Sequence, residues 1–331
     1  MRQEFIWIAG LTALTLGSCN APSRTPAETS TPEAPQQDAA NAPETGTAQS
    51  DIADDETEGL PETDISLAGL EWVNGLPRLA GQRIVTAEGL YDNQPAFDDN
   101  GGFYFTTETA GNQTDIHYMN AAGEVRNITQ SPDESEYSPR PSPDGNAITY
   151  IHQAPGGYGG QVYRHPLEGT STGPVHDYGP AGYYALAADQ SAMLLFALTD
   201  PFSLRWIDLE RDIGEEVTTG IGRALYSAPD GQSAFFTLER PEGGYIVNQF
   251  SFGDSSITPV FRLPGKTEDY AVFTNPEGEL AWLAVSDGTL FYRASQAYWQ
   301  PVGDLAGMGL NGISRLAVSP DASQLAIVVE E

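Results

Sequence analysis

The chain of 331 residues contains one cysteine, Cys19, and one lysine, Lys266. A single thiol excludes any disulfide within the chain, so no covalent staple contributes to its stability. Lysine and arginine together number 15 against 46 acidic residues, and the formal net charge is −31. A field of that sign repels nucleic acid and anionic head groups, and it disfavours acidic ligands except where arginines gather locally. Self-repulsion also keeps a chain dispersed, which fits a soluble monomer. The four histidines, His117, His152, His165 and His176, lack close ligand spacing, so neither a metal site nor a cofactor is expected. Asp98-Asp99-Asn100 is acidic but lacks the ligand ladder of a calcium loop. No stretch sustains a helical period. What is present instead is glycine (35) and proline (24), breaking short aromatic and β-branched runs, the pattern of an all-β chain.

The cysteine is informative by position. Met1–Cys19 begins with a basic residue, continues through the short apolar run Phe5–Leu16, and ends in Leu16-Gly17-Ser18-Cys19. The run is too short to span a bilayer and has the three-part form of a secretory signal. Its last four residues resemble the bacterial lipoprotein box, in which the cysteine sulfur accepts a lipid and becomes the new N-terminus. Asn20 follows, where aspartate would resemble an inner-membrane retention signal, so the expected address is the periplasmic face of the outer membrane, the alternative being a soluble periplasmic or secreted protein. Residues 20–62 are rich in Ala, Pro, Thr, Glu, Gln and Ser and have almost no large apolar side chains. Such a segment cannot bury enough surface to offset its ordering entropy, and its acidic residues extend it into a tether.

From residue 63 onward a turn recurs. It reads Phe97-Asp98-Asp99-Asn100-Gly101, Ser142-Pro143-Asp144-Gly145, Ala187-Ala188-Asp189-Gln190, Ala228-Pro229-Asp230-Gly231, Asn275-Pro276-Glu277-Gly278 and Ser319-Pro320-Asp321-Ala322. The intervals are 44, 45, 41, 47 and 44 residues, and an apolar strand pattern follows each turn. Proline presets the first turn position, aspartate caps it, and glycine accepts the left-handed conformation. A period near 44 fits one four-stranded blade, so six turns predict a six-bladed β-propeller over 63–331. Only two strands fit after Asn311. The segments Thr63–Val73 and Arg83–Ala87 are expected to complete that last blade, closing the ring by a shared N- and C-terminal sheet.

The Ser-Pro-Asp-Gly turn, with downstream strands such as Thr114-Asp115-Ile116-His117-Tyr118-Met119-Asn120, resembles the PD-type, WD-like repeat of TolB-like propellers. Tyr91-Asp92-Asn93-Gln94-Pro95, Glu134-Ser135-Glu136-Tyr137-Ser138-Pro139, Gly182-Tyr183-Tyr184-Ala185, Gly220-Ile221-Gly222-Arg223 and Ile313-Ser314-Arg315-Leu316-Ala317-Val318 are similar to an exported version of that family. The resemblance covers Asp64–Glu331 and implies a periplasmic interaction module without an established activity. Asp98-Asp99 and Ala187-Ala188-Asp189-Gln190 depart from the turn consensus.

In such a ring the innermost strand of each blade precedes its turn, and its first residues circle one mouth of the central channel. The candidate binding residues there are Tyr91, Asp92, Asn93, Glu134, Glu136, Tyr137, Tyr183, Tyr184, Arg223, Asp269, Tyr270, Ser314 and Arg315, tyrosines and fixed polar groups suited to a polar ligand or a protein surface. No catalytic residue is assigned. Gly169-Thr170-Ser171-Thr172-Gly173 matches a nucleophile elbow by letters only, because an apolar strand and a helix do not flank it. No residues remain for the hydrolase domain that prolyl-type propeller peptidases carry. The expected function is therefore a non-catalytic binding or scaffold propeller for an envelope protein or small polar ligand, tied to the membrane by its lipid alone. The alternative is a six-bladed saccharide or lactone lyase or hydrolase acting at the channel mouth.

Overall fold

The computed structural model describes residues 59–86, 89–109, 112–169, 172–295 and 297–330. The expected signal peptide, Cys19, nearly all of the tether, and Ser171 lie outside the described residues. The rest forms six four-stranded antiparallel sheets without a helix. Strands β1 (Thr63–Val73) and β2 (Leu76–Ile84) come first. Blade I is β3 (Asp92–Phe97), β4 (Phe103–Thr109), β5 (Gln113–Met119) and β6 (Val125–Asn127). Blade II is β7 (Ser135–Pro141), β8 (Ala147–Gln153), β9 (Gln161–Pro166) and β10 (Gly173–Pro174). Blade III is β11 (Ala181–Leu186), β12 (Ala192–Ala197), β13 (Ser203–Asp208) and β14 (Ile213–Thr219). Blade IV is β15 (Ile221–Ser227), β16 (Ser233–Glu239), β17 (Tyr245–Ser251) and β18 (Ile257–Arg262). Blade V is β19 (Tyr270–Thr274), β20 (Leu280–Ser286), β21 (Thr289–Ala294) and β22 (Gln300–Asp304). Blade VI joins β23 (Arg315–Val318) and β24 (Gln324–Glu330) to the first two strands in the order β2-β1-β24-β23.

The six-bladed, end-closed propeller expected from the turn period is thus the observed architecture. The closing register runs from Thr63↔Glu330 to Gly69↔Gln324. One detail differs. The outermost closing strand is Leu76–Ile84 rather than Arg83–Ala87, because Asn74 and Gly75 (φ 52° and 75°) turn the chain straight back after β1. Adjacent positive φ values are the signature of a two-residue hairpin loop, so pairing resumes at once, Val73 against Leu76.

Burial grades outward along each blade. The second strands are buried on both faces over most of their length, as in Ala192–Ala197 and Leu325–Val329, which is why they read as unbroken apolar runs. The outermost strands, such as β14 and β22, are largely exposed. Accordingly the core is not central. Six apolar clusters lie one to each junction between neighbouring blades. The V–VI junction gathers 14 buried residues, including Phe273, Leu283 and Ile327. The I–II junction gathers only four, Tyr104, Ile116, Ile148 and Tyr150. Each buried aliphatic or aromatic side chain contributes about 1.5–3 kcal/mol, so the junctions are the main source of stability.

The turns that carry the repeat work as their residues suggest. Asp144 Oδ1 accepts from the Asn146 amide at 3.0 Å and the Ser142 hydroxyl at 2.5 Å. The fourth turn residue is left-handed in every blade: Gly101, Gly145, Gln190, Gly231, Gly278 and Ala322. At Gly231 the demand is double, since a Cβ there would lie 2.6 Å from Ala188 Cβ in blade III. Gly145 has open space around it. Gly231→Ala is therefore expected to destabilise the fold by about 2–3 kcal/mol and Gly145→Ala by about 1 kcal/mol, measured by urea unfolding.

The turn carboxyls also titrate predictably. Hydrogen bonds hold Asp144, Asp189 and Asp321 below the ordinary carboxyl range, chiefly from the Ser142 hydroxyl, the Ser191 amide and the Ser319 hydroxyl respectively. A carboxyl whose folded pKa is depressed stabilises above its unfolded value near ~4, and that gain is lost as pH falls. Urea midpoints measured from pH 5 down to pH 2 should fall less steeply in an Asp144→Asn, Asp321→Asn double variant than in the parent.

Candidate functional site

The inner strands β3, β7, β11, β15, β19 and β23 begin at one face of the ring and approach the axis. Four of them are irregular near that start. Register shifts interrupt β3, β7, β11 and β15 where they pair with their second strands. Gln94 and Ser138 occupy equivalent places, both left-handed (φ 57° and 55°), and the Ser138 amide donates to Gln94 Oε1 at 2.6 Å. Bulges re-aim side chains. Here they aim the strands at one another across the axis.

What meets there is a polar plug. Arg315 from blade VI donates to the Tyr183 hydroxyl of blade III at 2.7 Å. Arg140 from blade II donates to the Leu225 carbonyl of blade IV at 3.1 Å, with its guanidinium 5.1 Å from the Tyr226 ring centre. The Tyr226 hydroxyl donates to Asp269 Oδ1 at 2.5 Å, and the Leu316 amide donates to Asp269 Oδ2 at 2.9 Å. Burial pushes the Asp269 carboxyl up, opposed by Arg315, Tyr226 and the Leu316 amide. Burial pushes the Tyr226 and Tyr91 hydroxyls up as well, so both are neutral donors at ordinary pH. Beside the plug, Glu268 accepts from the Arg223 and Ala224 amides, and the Arg223 side chain lies 3.6 Å away. Burial raises the Glu268 carboxyl against those partners.

The plug nearly fills the axis. The remaining cavity, lined by Gln94, Ser138, Arg140, Tyr183, Tyr226 and Arg315 among others, measures about 30 Å³. That is room for about two water molecules. A larger, open groove of about 480 Å³ lies nearby, lined by Lys266, Thr267, Ser286, Asp287, Asn311 and Ile313 among others. These residues lead into β19 and β23 or close the β20–β21 turn. The pairing Tyr270↔Ala284 puts that turn on the face where the inner strands start.

Of the thirteen candidate residues, the structure gathers Tyr91, Tyr183, Arg223, Asp269 and Arg315 around the axis. The others go elsewhere. Asp92 and Asn93 tie blade I to the closing strand through Thr63. Tyr184 is buried, its hydroxyl on Thr149 at 2.8 Å. Tyr270 is wholly buried in the IV–V junction. Tyr137 packs into the II–III junction, and Ser314 is fixed by its amide to the Val328 carbonyl. Glu134 and Glu136 turn away from the cavity beside β8. Burial pushes the Glu136 carboxyl up to about 7, with a hydrogen bond from Ser131 opposing.

Sequence reasoning passed over Gln94, Arg140, Tyr226 and Glu268. Arg140 and Tyr226 stand at one repeat position, four residues ahead of the turn aspartates Asp144 and Asp230, where the other blades carry Ala96, Ala185, Phe273 and Ala317. An arginine among alanines and aromatics was the available signal.

No family model matches the chain, and no curated protein matches it. Solved structures do share its shape. A protein assigned as TolB from Agrobacterium tumefaciens superposes with a TM-score of 0.59 at 14% identity, over 82% of this chain and 99% of that one. A chain of the nidogen/laminin complex gives 0.51 at 10% identity, over 70% and 89%. Oligogalacturonate lyase from Vibrio parahaemolyticus gives 0.48 at 10% identity, over 81% and 98%. At these identities the likeness is one of fold: a TolB-like β-propeller.

The plug is expected to behave as a unit. Arg315→Met removes the charge that most opposes the burial of the Asp269 carboxyl and should cost about 3 kcal/mol; Asp269→Asn should cost a comparable amount. In a double-mutant cycle by urea unfolding, the combined variant should lose clearly less than the sum, with about 1 kcal/mol or more of coupling.

Proposed function

We propose that the chain is an exported, non-catalytic binding propeller, anchored by lipid at Cys19 to the periplasmic face of the outer membrane, that engages an envelope protein or a small polar ligand through the face where its inner strands begin. One observation carries the reading. The axis of the ring is crossed by contacts of Arg315, Tyr183, Arg140, Tyr226 and Asp269, and the space of about 30 Å³ left among them has room for about two water molecules. Recognition is left to the rim and its loops. The open groove beside Lys266, the chain's one lysine in a strongly acidic protein, is a concavity on that face. A cation in a negative field is a place where a partner's carboxylate finds its complement. The nidogen propeller, solved in a complex with laminin, is a propeller of similar fold that meets a protein partner. The saccharide lyase or hydrolase alternative requires a funnel that admits substrate, and the plug weighs against it.

Crosslinking in the native envelope tests the proposal, with the full-length protein, Cys19→Ser and Lys266→Glu compared side by side. A discrete adduct is expected for the parent, absent from Cys19→Ser and reduced at least about tenfold in Lys266→Glu, the size of a 1.4 kcal/mol loss. An adduct no stronger than in Cys19→Ser removes the binding reading. One unchanged in Lys266→Glu moves recognition away from the groove.

A further inference from the structure

The I–II junction departs from the other five. Its apolar cluster is the smallest, and buried polar groups take the place of the missing hydrophobes: Thr114, Asp115 and Glu136 are at most 5% exposed. Ser131, in the β6–β7 connection, bridges two of these, reaching Asp115 Oδ1 at 3.2 Å and Glu136 Oε1 at 2.6 Å. Asp115 is fully engaged, since it also accepts from the Asn127 side chain and the Ser131 amide. Glu136 is not. It is 1% exposed, and its Oε2 has no hydrogen-bond partner. An unpaired buried carboxylate oxygen is costly unless a cation or donor reaches it.

The strand register supplies the setting for such a cation. Glu136 on β7 stands directly opposite His152 on β8, and antiparallel partners place their side chains on one face. Glu134, two residues earlier, shares that face. Its Oε2 lies 3.0 Å from His152 Nε2. One donor atom from each of Glu134, Glu136 and His152 lies within 4.8 Å of the others. The imidazole is held in place by stacking on Tyr163, with ring centres 4.1 Å apart and planes at 20°. Glu134 is the most exposed member of the set, giving an ion a way in and leaving one ligand free to adjust to metal–oxygen distances of ~2.0–2.2 Å.

We propose that Glu134, Glu136 and His152 form a divalent metal site in blade II, beside the I–II junction, that takes zinc in preference to calcium. Two carboxylates and one imidazole are a borderline-soft donor set, which suits zinc; calcium takes six to eight oxygens and does not select for imidazole. Three protein ligands leave a coordination position open to water or to a carboxylate or carbonyl of a partner. The strongly negative protein field concentrates cations at its surface. None of the three ligands lines the axial cavity or the Lys266 groove, so the site stands apart from the proposed binding face.

The test uses the full-length protein in detergent, stripped with chelator and titrated with Zn²⁺ against a chromophoric competitor, then with Co²⁺ as a spectroscopic probe. One Zn²⁺ per chain is expected, retained in excess Ca²⁺. The association constant should fall more than about tenfold in Glu136→Gln and in His152→Ala. It should be unchanged in a Glu215→Gln, Glu216→Gln control on the exposed outer strand of blade III. Zinc should raise the unfolding midpoint of the parent and not of the two site variants, whose metal-free unfolding curves report that they fold. Bound Co²⁺ should show visible absorption bands that disappear in His152→Ala. Less than one zinc per chain, calcium displacing zinc, or equal zinc binding by folded Glu136→Gln overturns the proposal and leaves the partner-binding reading untouched.

Discussion

Sheet-to-sheet packing between neighbouring blades is the interaction on which everything else rests. A blade taken alone is a four-stranded sheet with both faces apolar near the axis, and it buries neither face unaided. Each finds its complement only in the next blade, so six junction clusters replace a single core. This explains why the second strands read as continuous apolar runs rather than alternating ones, and why polarity appears only toward the outer strands. It also leaves the axis as the one place where six sheets meet without enough room to pack as sheets. Bulges in β3, β7, β11 and β15 ease that crowding, and residues of those strands meet Arg315, on the regular strand β23, and Asp269, just before the regular strand β19, in contacts that link blades across the axis.

The polar groups of the interior fall into two sets with different logic. At the axis, charges and hydroxyls bond across blades, and the two atoms left bare beside the cavity, Arg140 Nε and Ser138 Oγ, are donors with room for water next to them. At the I–II junction the same kinds of residue are only partly satisfied: Asp115 is saturated with donors while Glu136 keeps a bare oxygen. A closed network rigidifies, whereas an open one asks for a further atom. What separates the blade II cluster from the axial plug is that its bare atom is a carboxylate oxygen with two further ligand-type side chains, Glu134 and His152, beside it.

Much of the fold was legible because its determinant is short-range and repeated. Proline, aspartate and glycine fix a turn by local sterics, and a turn every 41–47 residues counts blades without knowledge of any contact. Even the two weakened turns kept their left-handed residue, at Gly101 and Gln190. The outer closing strand starts earlier than the apolar pattern indicates because Asn74-Gly75 forms a two-residue hairpin turn that returns the chain at Leu76. The site was less legible, and for a physical reason. Facing the axis depends on where a bulge shifts the alternation, so Tyr183 turned inward while Tyr184, its neighbour, turned into a junction. Likewise, Glu136 and His152 are separated by a turn and a whole strand in sequence. Spacing rules for metal ligands look along the chain, and this pair is made across it.

The split blade has a consequence for the order in which the molecule can be made. Thr63 pairs with Glu330, so the first strand of the ring has no hydrogen-bonding neighbour on its inner side until the last one has been synthesised. Blades I to V consist of consecutive hairpins and can form as their residues appear, while β1 waits with an unpaired edge for nearly the whole length of the domain. Closure is the contact of longest sequence separation and the slowest to be found by diffusion of the chain. For that interval the growing protein is an open arc with adhesive ends. A net charge of −31 makes two such arcs repel each other.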